Sequence, residues 1–131
     1  MNSNIDISNA ELTILKVLWE SSPRLSADIV IDVQKTHDWH EKTIKTLLSR
    51  LVKKGAVDFE KSGRAYCYSP RVNQQDYQKR VSSTLVDRLF SGRLSGLVSG
   101  FAQQRDLSRD DVESLKRIIA EWEEQQEQNN D

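Results

Sequence analysis

His40-Glu41-Lys42-Thr43-Ile44-Lys45-Thr46-Leu47-Leu48-Ser49-Arg50-Leu51-Val52-Lys53-Lys54-Gly55 carries more information than any other stretch of this 131-residue chain. At about 100° per residue, Ile44, Leu47, Leu48 and Leu51 fall on one face, the spacing of a helix lying on a core. Lys42, Thr46, Ser49 and Lys53 fall on the other, flanked by Thr43, Lys45 and Arg50. Gly55 supplies a left-handed stop. A solvated amphipathic helix usually alternates charge sign so that i, i+4 pairs form. Here the row Lys42, Thr46, Arg50, Lys54 offers no acidic partner, and Glu41 is the only acid. Cations with short hydroxyls suit DNA: Lys and Arg donate to guanine or phosphate, and Thr meets a base edge or a thymine methyl. A helix of about 15 residues is roughly 22 Å long and fits a major groove.

The flanking sequence completes a recognisable order. A first helix starts at the capping box Ser8-x-x-Glu11 and carries Leu12, Leu15, Leu18 and Trp19 at helical spacing, stopping before Pro23. A second opens at Ser26, with Asp28 in its first turn, and buries Ile29, Val30 and Val33. After Gly55 come two β-prone segments, residues 57–61 and 65–69, around the turn Ser62-Gly63-Arg64. Three helices and a hairpin form a winged helix, with Lys61 and Arg64 on the wing. Beyond Pro70 the pattern predicts a long helix from Asn73 or Asp76 ending at Gly92. A shorter segment follows, interrupted by Gly96 and Gly100, and then a helix capped by Ser108. The predicted domains are 1–71, the winged helix, and 72–131, helical with an acidic tail expected to fray from Glu123. The fold class is mostly α with a small β-hairpin wing.

The overall charge conceals this layout. Nineteen bases and twenty acids leave a net charge of -1, which argues against nucleic acid on its face. Residues 40–80, however, carry ten bases and four acids, net +6, and residues 106–131 carry three bases and nine acids, net -6. A local +6 is a footprint for a polyanion. One cysteine, Cys67, cannot form an internal disulfide and suits a reducing compartment. The longest apolar run is Ile29-Val30-Ile31, far short of the ~18 residues of a membrane span. Residues 1–7 lack the basic start and apolar stretch of a signal peptide. A cytoplasmic protein without membrane insertion is expected.

Other chemistry has less support. His37 and His40, with Asp38 and Glu41, sit at a helix start and lack a third ligand of closed geometry, so no metal site is expected. No nucleophile–base pair or phosphate-cradling glycine loop is present, so neither an enzyme nor a cofactor is expected. Trp19, Trp39 and Trp122 read as packing anchors. Two alternatives share the fold: a repressor sensing metal or redox state through His37, His40 or Cys67, and a winged helix whose basic face binds an acidic protein.

Ile7-Ser8-Asn9-Ala10-Glu11, Leu18-Trp19, Lys42 to Leu47, Ser49-Arg50-Leu51, Lys53-Lys54-Gly55 and Tyr68-Ser69 resemble the penicillinase-repressor (BlaI/MecI/CopY) family. The similarity continues through Ser95-Gly96-Leu97-Val98, Phe101 and Asp106-Leu107-Ser108, to about Trp122. It implies a homodimeric repressor on an inverted-repeat operator in double-stranded DNA, of a β-lactam-resistance or related stress operon. DNA contacts would fall on Lys42, Thr43, Lys45, Thr46 and Arg50, with wing contacts from Lys61 and Arg64. The last three helices would form an all-α dimerisation region, burying Leu85, Leu89, Leu94, Leu97, Val98, Leu115 and Ile119 against a second chain. Three short apolar helices have too little chain to close a separate core, in keeping with that implication. The two recognition helices would lie about 34 Å apart, one DNA turn. Copper-responsive members carry paired cysteines near the C-terminus, whereas residues 107–131 here contain none. In the β-lactam branch a membrane sensor's protease pathway leads to cleavage before a phenylalanine, commonly after asparagine. The matching bond here is Gly100–Phe101. His40 stands where the family usually has a serine cap, a change expected to weaken the helix start by up to ~1 kcal/mol.

Overall fold

The computed structural model describes residues 5–104 and 107–130; Asp106, part of the family similarity, and the tail end Asp131 lie outside the described residues. The elements are α1 (Asn9–Glu20), β1 (Arg24–Leu25), α2 (Ser26–Gln34), α3 (Glu41–Lys54), β2 (Val57–Ser62), β3 (Ala65–Pro70), α4 (Gln74–Leu89), α5 (Leu94–Gln104) and α6 (Arg109–Asn129). Two compact units are present, Met1–Ser82 and Ser83–Asp131.

In the first unit, local signals in the sequence set the helix ends. The Ser8 hydroxyl accepts from the Glu11 N–H at 3.1 Å, and the Ser8 N–H donates to Glu11 Oε1 at 2.9 Å. This box starts α1. Ile14, Leu15 and Leu18 are the fully buried residues of that helix, while Leu12 is only half-buried. Gly55, at φ 82°, ends α3, with the Ala56 N–H donating to the Leu51 carbonyl at 2.9 Å. That left-handed turn suits a residue without a side chain. Ser26 is the first helical residue of α2 rather than its cap. The preceding Leu25, whose backbone belongs to a strand, makes no side-chain cap because its side chain has no polar atom.

That strand, β1, is absent from the sequence reading. Arg24 and Leu25 pair antiparallel with Tyr68 and Cys67, making a three-stranded sheet in the order β1-β3-β2. The hairpin pairs Val57 with Pro70 and Ser62 with Ala65, so its turn is the two residues Gly63 and Arg64. Ile14, Leu18, Ile29, Val33, Ile44 and Leu51 are fully or almost fully buried at the centre of the core, closed by Val57 and Val72.

One ionic contact ties distant parts of this unit together. Glu11 is only 2% exposed, and its Oε1 also accepts from Lys54 Nζ at 2.6 Å, while Oε2 is buried without a hydrogen bond. Lys54 donates as well to the Asp6 carbonyl at 2.8 Å. Lys54 therefore does have an acidic partner, correcting the expectation for its row. Glu11 lies 43 positions away, beyond the reach of helical spacing.

The first turns of α4 pack with the winged unit, past the boundary expected at 71/72. Trp19 Nε1 donates to the Val72 carbonyl at 2.8 Å, and the Trp19 and Tyr77 rings lie 5.9 Å apart. Arg80 donates to the Ile5 carbonyl at 2.6 Å and lies over the Tyr77 ring.

Among the described residues of the second unit, none is buried. Leu85, Leu89, Leu94 and Ile119 are exposed, Leu89 by 67%; Leu97, Val98 and Leu115 are half-buried. α5 runs unbroken through Gly96 and Gly100, both expected to interrupt it. A Cβ on Gly96 would sit 3.0 Å from Phe90 Cδ1, so close approach of the Phe90 ring accounts for this glycine. Ser108 caps α6 through the Asp111 N–H at 3.0 Å. The tail expected to fray stays helical to Asn129, the backbone continuing past the last apolar residue. Trp122, expected to anchor packing, is 60% exposed.

Burial pushes the Glu11 carboxyl up, but hydrogen bonds from Lys54 and Ser8 and the Lys54 charge outweigh it, leaving it below the usual 4.5. The carboxylate therefore stabilises the fold above its unfolded value, and that contribution is lost as pH falls through the folded value. Glu11→Gln should cost about 1–2 kcal/mol at pH 7. It should also flatten the loss of stability between pH 5 and pH 3, as read from urea midpoints. An unchanged acid limb would place the pH dependence elsewhere.

Candidate nucleic-acid interface

The polar face of α3 is organised from its start. His40 precedes the helix with extended backbone, and its ring nitrogen Nδ1 accepts from the Lys42 N–H at 3.0 Å. The expected weak start is thus capped, by an imidazole doing what a serine oxygen would do. Lys42, Thr43, Thr46 and Arg50 follow along the helix and, with His40 and Leu47, line an open groove of about 600 Å³. The sequence reading missed His40 as a lining residue, though its place directly before the helix was the available signal.

Each of these side chains has a definable state. The Thr46 hydroxyl donates to the Lys42 carbonyl at 2.9 Å, which leaves its oxygen as an acceptor and its methyl as an apolar surface. Lys45 is exposed and outside the groove lining, with Nζ 3.7 Å from Glu41 Oε2. Such an exposed i, i+4 pair is worth only about 0.3–0.5 kcal/mol. It leaves Lys45 free to exchange partners. Lys42, Arg50, Lys53, Lys61 and Arg64 have no ion-pair partner among the described residues.

On the wing, Lys61 sits on β2 opposite Tyr66, and Arg64 occupies the turn. Phe59 and Tyr66 meet edge-on at 5.3 Å, both exposed, so the aromatic packing stiffens the strands that carry Lys61. Burial, aided by Tyr66, raises the Tyr68 hydroxyl above its ordinary 10.0.

Histidine and cysteine take structural places. His37 Nδ1 lies 2.8 Å from Thr36 Oγ1, and its ring is 4.7 Å from that of Trp39. Cys67 pairs with Leu25 and Glu60 within the sheet. Among the described residues no group of three His, Cys, Asp or Glu side chains could hold a metal, and no helix is long and apolar enough to cross a membrane.

Three helices, a hairpin and an exposed cationic third helix define the winged helix-turn-helix class, most of whose members bind DNA. A family model described as penicillinase repressor matches residues 7–121. The penicillinase repressor of Bacillus licheniformis is 36% identical over 115 residues, covering 88% of this chain and 90% of that one. The methicillin resistance regulatory protein MecI of Staphylococcus aureus (strain N315) is 31% identical over 118 residues, covering 90% and 96%. The solution structure of the monomeric form of Bacillus licheniformis BlaI in complex with the blaP half-operator is 42% identical. It has a TM-score of 0.50 and covers 55% of this chain and 88% of that one. The chain belongs to the penicillinase-repressor family.

Because they have no ion-pair partner among the described residues, Lys42→Ala and Arg50→Ala should each change folding stability by less than about 0.5 kcal/mol. Lys54→Ala, which strands the Glu11 carboxylate, should cost more than about 1 kcal/mol. Urea denaturation of the three variants distinguishes them. Equal losses would mean that the α3 face is tied into the fold.

Proposed function

We propose that this member of a repressor family, not a family of enzymes, binds double-stranded operator DNA in the cytoplasm as a homodimer and blocks transcription. The observation that carries this reading is the α3 groove, where Lys42 and Arg50 stand unpaired among the described residues beside two threonines. Exposed cations along one helix face, with no acid to neutralise them, set up a local positive potential that attracts a polyanion. DNA is the polyanion that a helix of this width and length fits. Lys42, Thr43, Lys45, Thr46 and Arg50 would enter the major groove, and Lys61 and Arg64 would meet the backbone. Support also comes from the Bacillus licheniformis relative, 42% identical and solved on a half-operator.

The second unit supplies the reason for a dimer. A mainly apolar hollow of about 550 Å³ is lined by Leu97, Val98, Phe101, Leu107, Leu115 and Ile118, together with Asp111 and Ser114. Leu85, Leu89, Leu94 and Ile119 extend the exposed apolar surface. Apolar burial is worth about 25 cal/mol per Å², so a second copy of these helices would stabilise what one chain leaves wet. Two chains so joined would read an inverted repeat. Phe101 is 47% exposed and belongs to this surface. A cut at Gly100–Phe101 would remove Phe101 and all of α6 from it, supporting this bond as the point where a sensor-linked protease ends repression.

A gel shift against the DNA upstream of the gene tests the reading. Wild type should select one inverted repeat there, with affinity falling steeply as salt rises. Lys45→Ala combined with Thr46→Ala should abolish that preference while keeping weak, salt-sensitive binding. Retained preference would move the reading head off α3. Leu89→Glu should leave the winged unit folded by circular dichroism and shift sedimentation from dimer to monomer. A monomer at all concentrations in the wild type would overturn the dimer.

A further inference from the structure

We infer that His40 is a DNA-backbone contact, a neutral imidazole whose Nε2–H donates to an operator phosphate beside the start of α3. The inference rests on the proposed operator binding and adds a residue outside the cationic face. The Lys42 N–H donates to His40 Nδ1 at 3.0 Å. A ring nitrogen that accepts an N–H must hold a lone pair, so the proton of the neutral ring sits on Nε2. The helix backbone thereby fixes the tautomer, as the partner of one ring nitrogen sets the state of the other.

The free end of that ring is available. His40 is exposed, and Nε2 has no hydrogen-bond partner among the described residues. His40 lines the same groove as Lys42, Thr43, Thr46 and Arg50. The neighbouring groups do not compete for it. The His37 ring is engaged with Thr36 and Trp39, and the Glu41 carboxylate lies 3.7 Å from Lys45. One imidazole therefore performs two tasks on two nitrogens, capping inward and donating outward.

A phosphate is the acceptor this donor fits. Base pairs are best told apart by paired contacts, which one N–H cannot make. The phosphate–sugar backbone takes at least half of protein–DNA hydrogen bonds and carries no sequence directly. The positive end of the α3 dipole favours an anion there as well.

The full-length His40→Gly variant separates the tasks, because glycine is well tolerated at an N-cap and carries no side-chain donor. Its urea midpoint should stay close to that of wild type, whereas His40→Ala, with a residue poorly suited to an N-cap, should be less stable. Both variants should bind operator and mixed-sequence DNA about tenfold more weakly than wild type, with the ratio between the two DNAs kept. The salt slope should not change, since a neutral donor releases no counterion. Unchanged affinity in His40→Gly would overturn the contact. A loss confined to the operator would overturn the phosphate assignment in favour of a base. A wild type that does not distinguish the two DNAs would remove the operator reading alone, and the tenfold loss on mixed-sequence DNA would still decide His40.

Discussion

Everything presented by the winged unit depends on one carboxylate oxygen. Glu11 Oε1 accepts from the Ser8 N–H, which starts α1, and from Lys54, at the last turn of α3. Packing through Ile44, Leu47, Leu48 and Leu51 holds α3 on the core by shape, but apolar attraction itself has little direction. A charge-assisted hydrogen bond of 2.6 Å has direction and length, and it pins one end of α3. At the other end, His40 fixes the first turn. Between these two points the polar residues are held at set heights along the helix.

The cations divide into those that hold the fold and those that do not. Lys54 holds α1 to α3, Arg24 pairs with Asp32 next to β1, and Arg80 reaches the Ile5 carbonyl. The Arg24 hydrogen bond, followed by that of Lys35, keeps the Asp32 carboxyl below its ordinary range. Lys42, Arg50, Lys61 and Arg64 stabilise nothing in the described chain by ion pairing. A near-neutral total charge is compatible with this division. The -6 of residues 106–131 belongs to α6 and what flanks it in sequence, and the +6 of residues 40–80 belongs to the winged unit.

Periodicity made most of the architecture legible. The core face of α3, the Ser8 and Ser108 caps, the Gly55 stop and the hairpin all follow from local residue preferences. What escaped was either too short or too distant for a local signal. β1 is two residues long, too few to show alternation, and exists because β3 offers it an edge. The Glu11–Lys54 contact joins positions 43 apart, so charge patterning within one helix counted Lys54 with the wrong group. His40 looked like a poor cap because ranking by residue type overlooks a ring nitrogen that can accept. The helical tail of α6 escaped because Glu and Gln extend a helix by backbone propensity without any apolar stripe. At the candidate site, α3 showed its composition in the sequence, but only the coordinates separate Lys45, beside Glu41, from the residues lining the groove.

The three tryptophans also give the molecule a built-in set of optical reporters. Trp19 is hydrogen-bonded to Val72 at the foot of α4, and Trp39 lies against His37 in the turn leading to the reading helix. Trp122 stands largely in water on α6. Their indoles sample three environments, two in the winged unit and one in the helical unit. Emission from single-tryptophan versions would therefore report separately on the fold of the winged unit, on the approach to α3 and on coverage of α6, with no external dye attached.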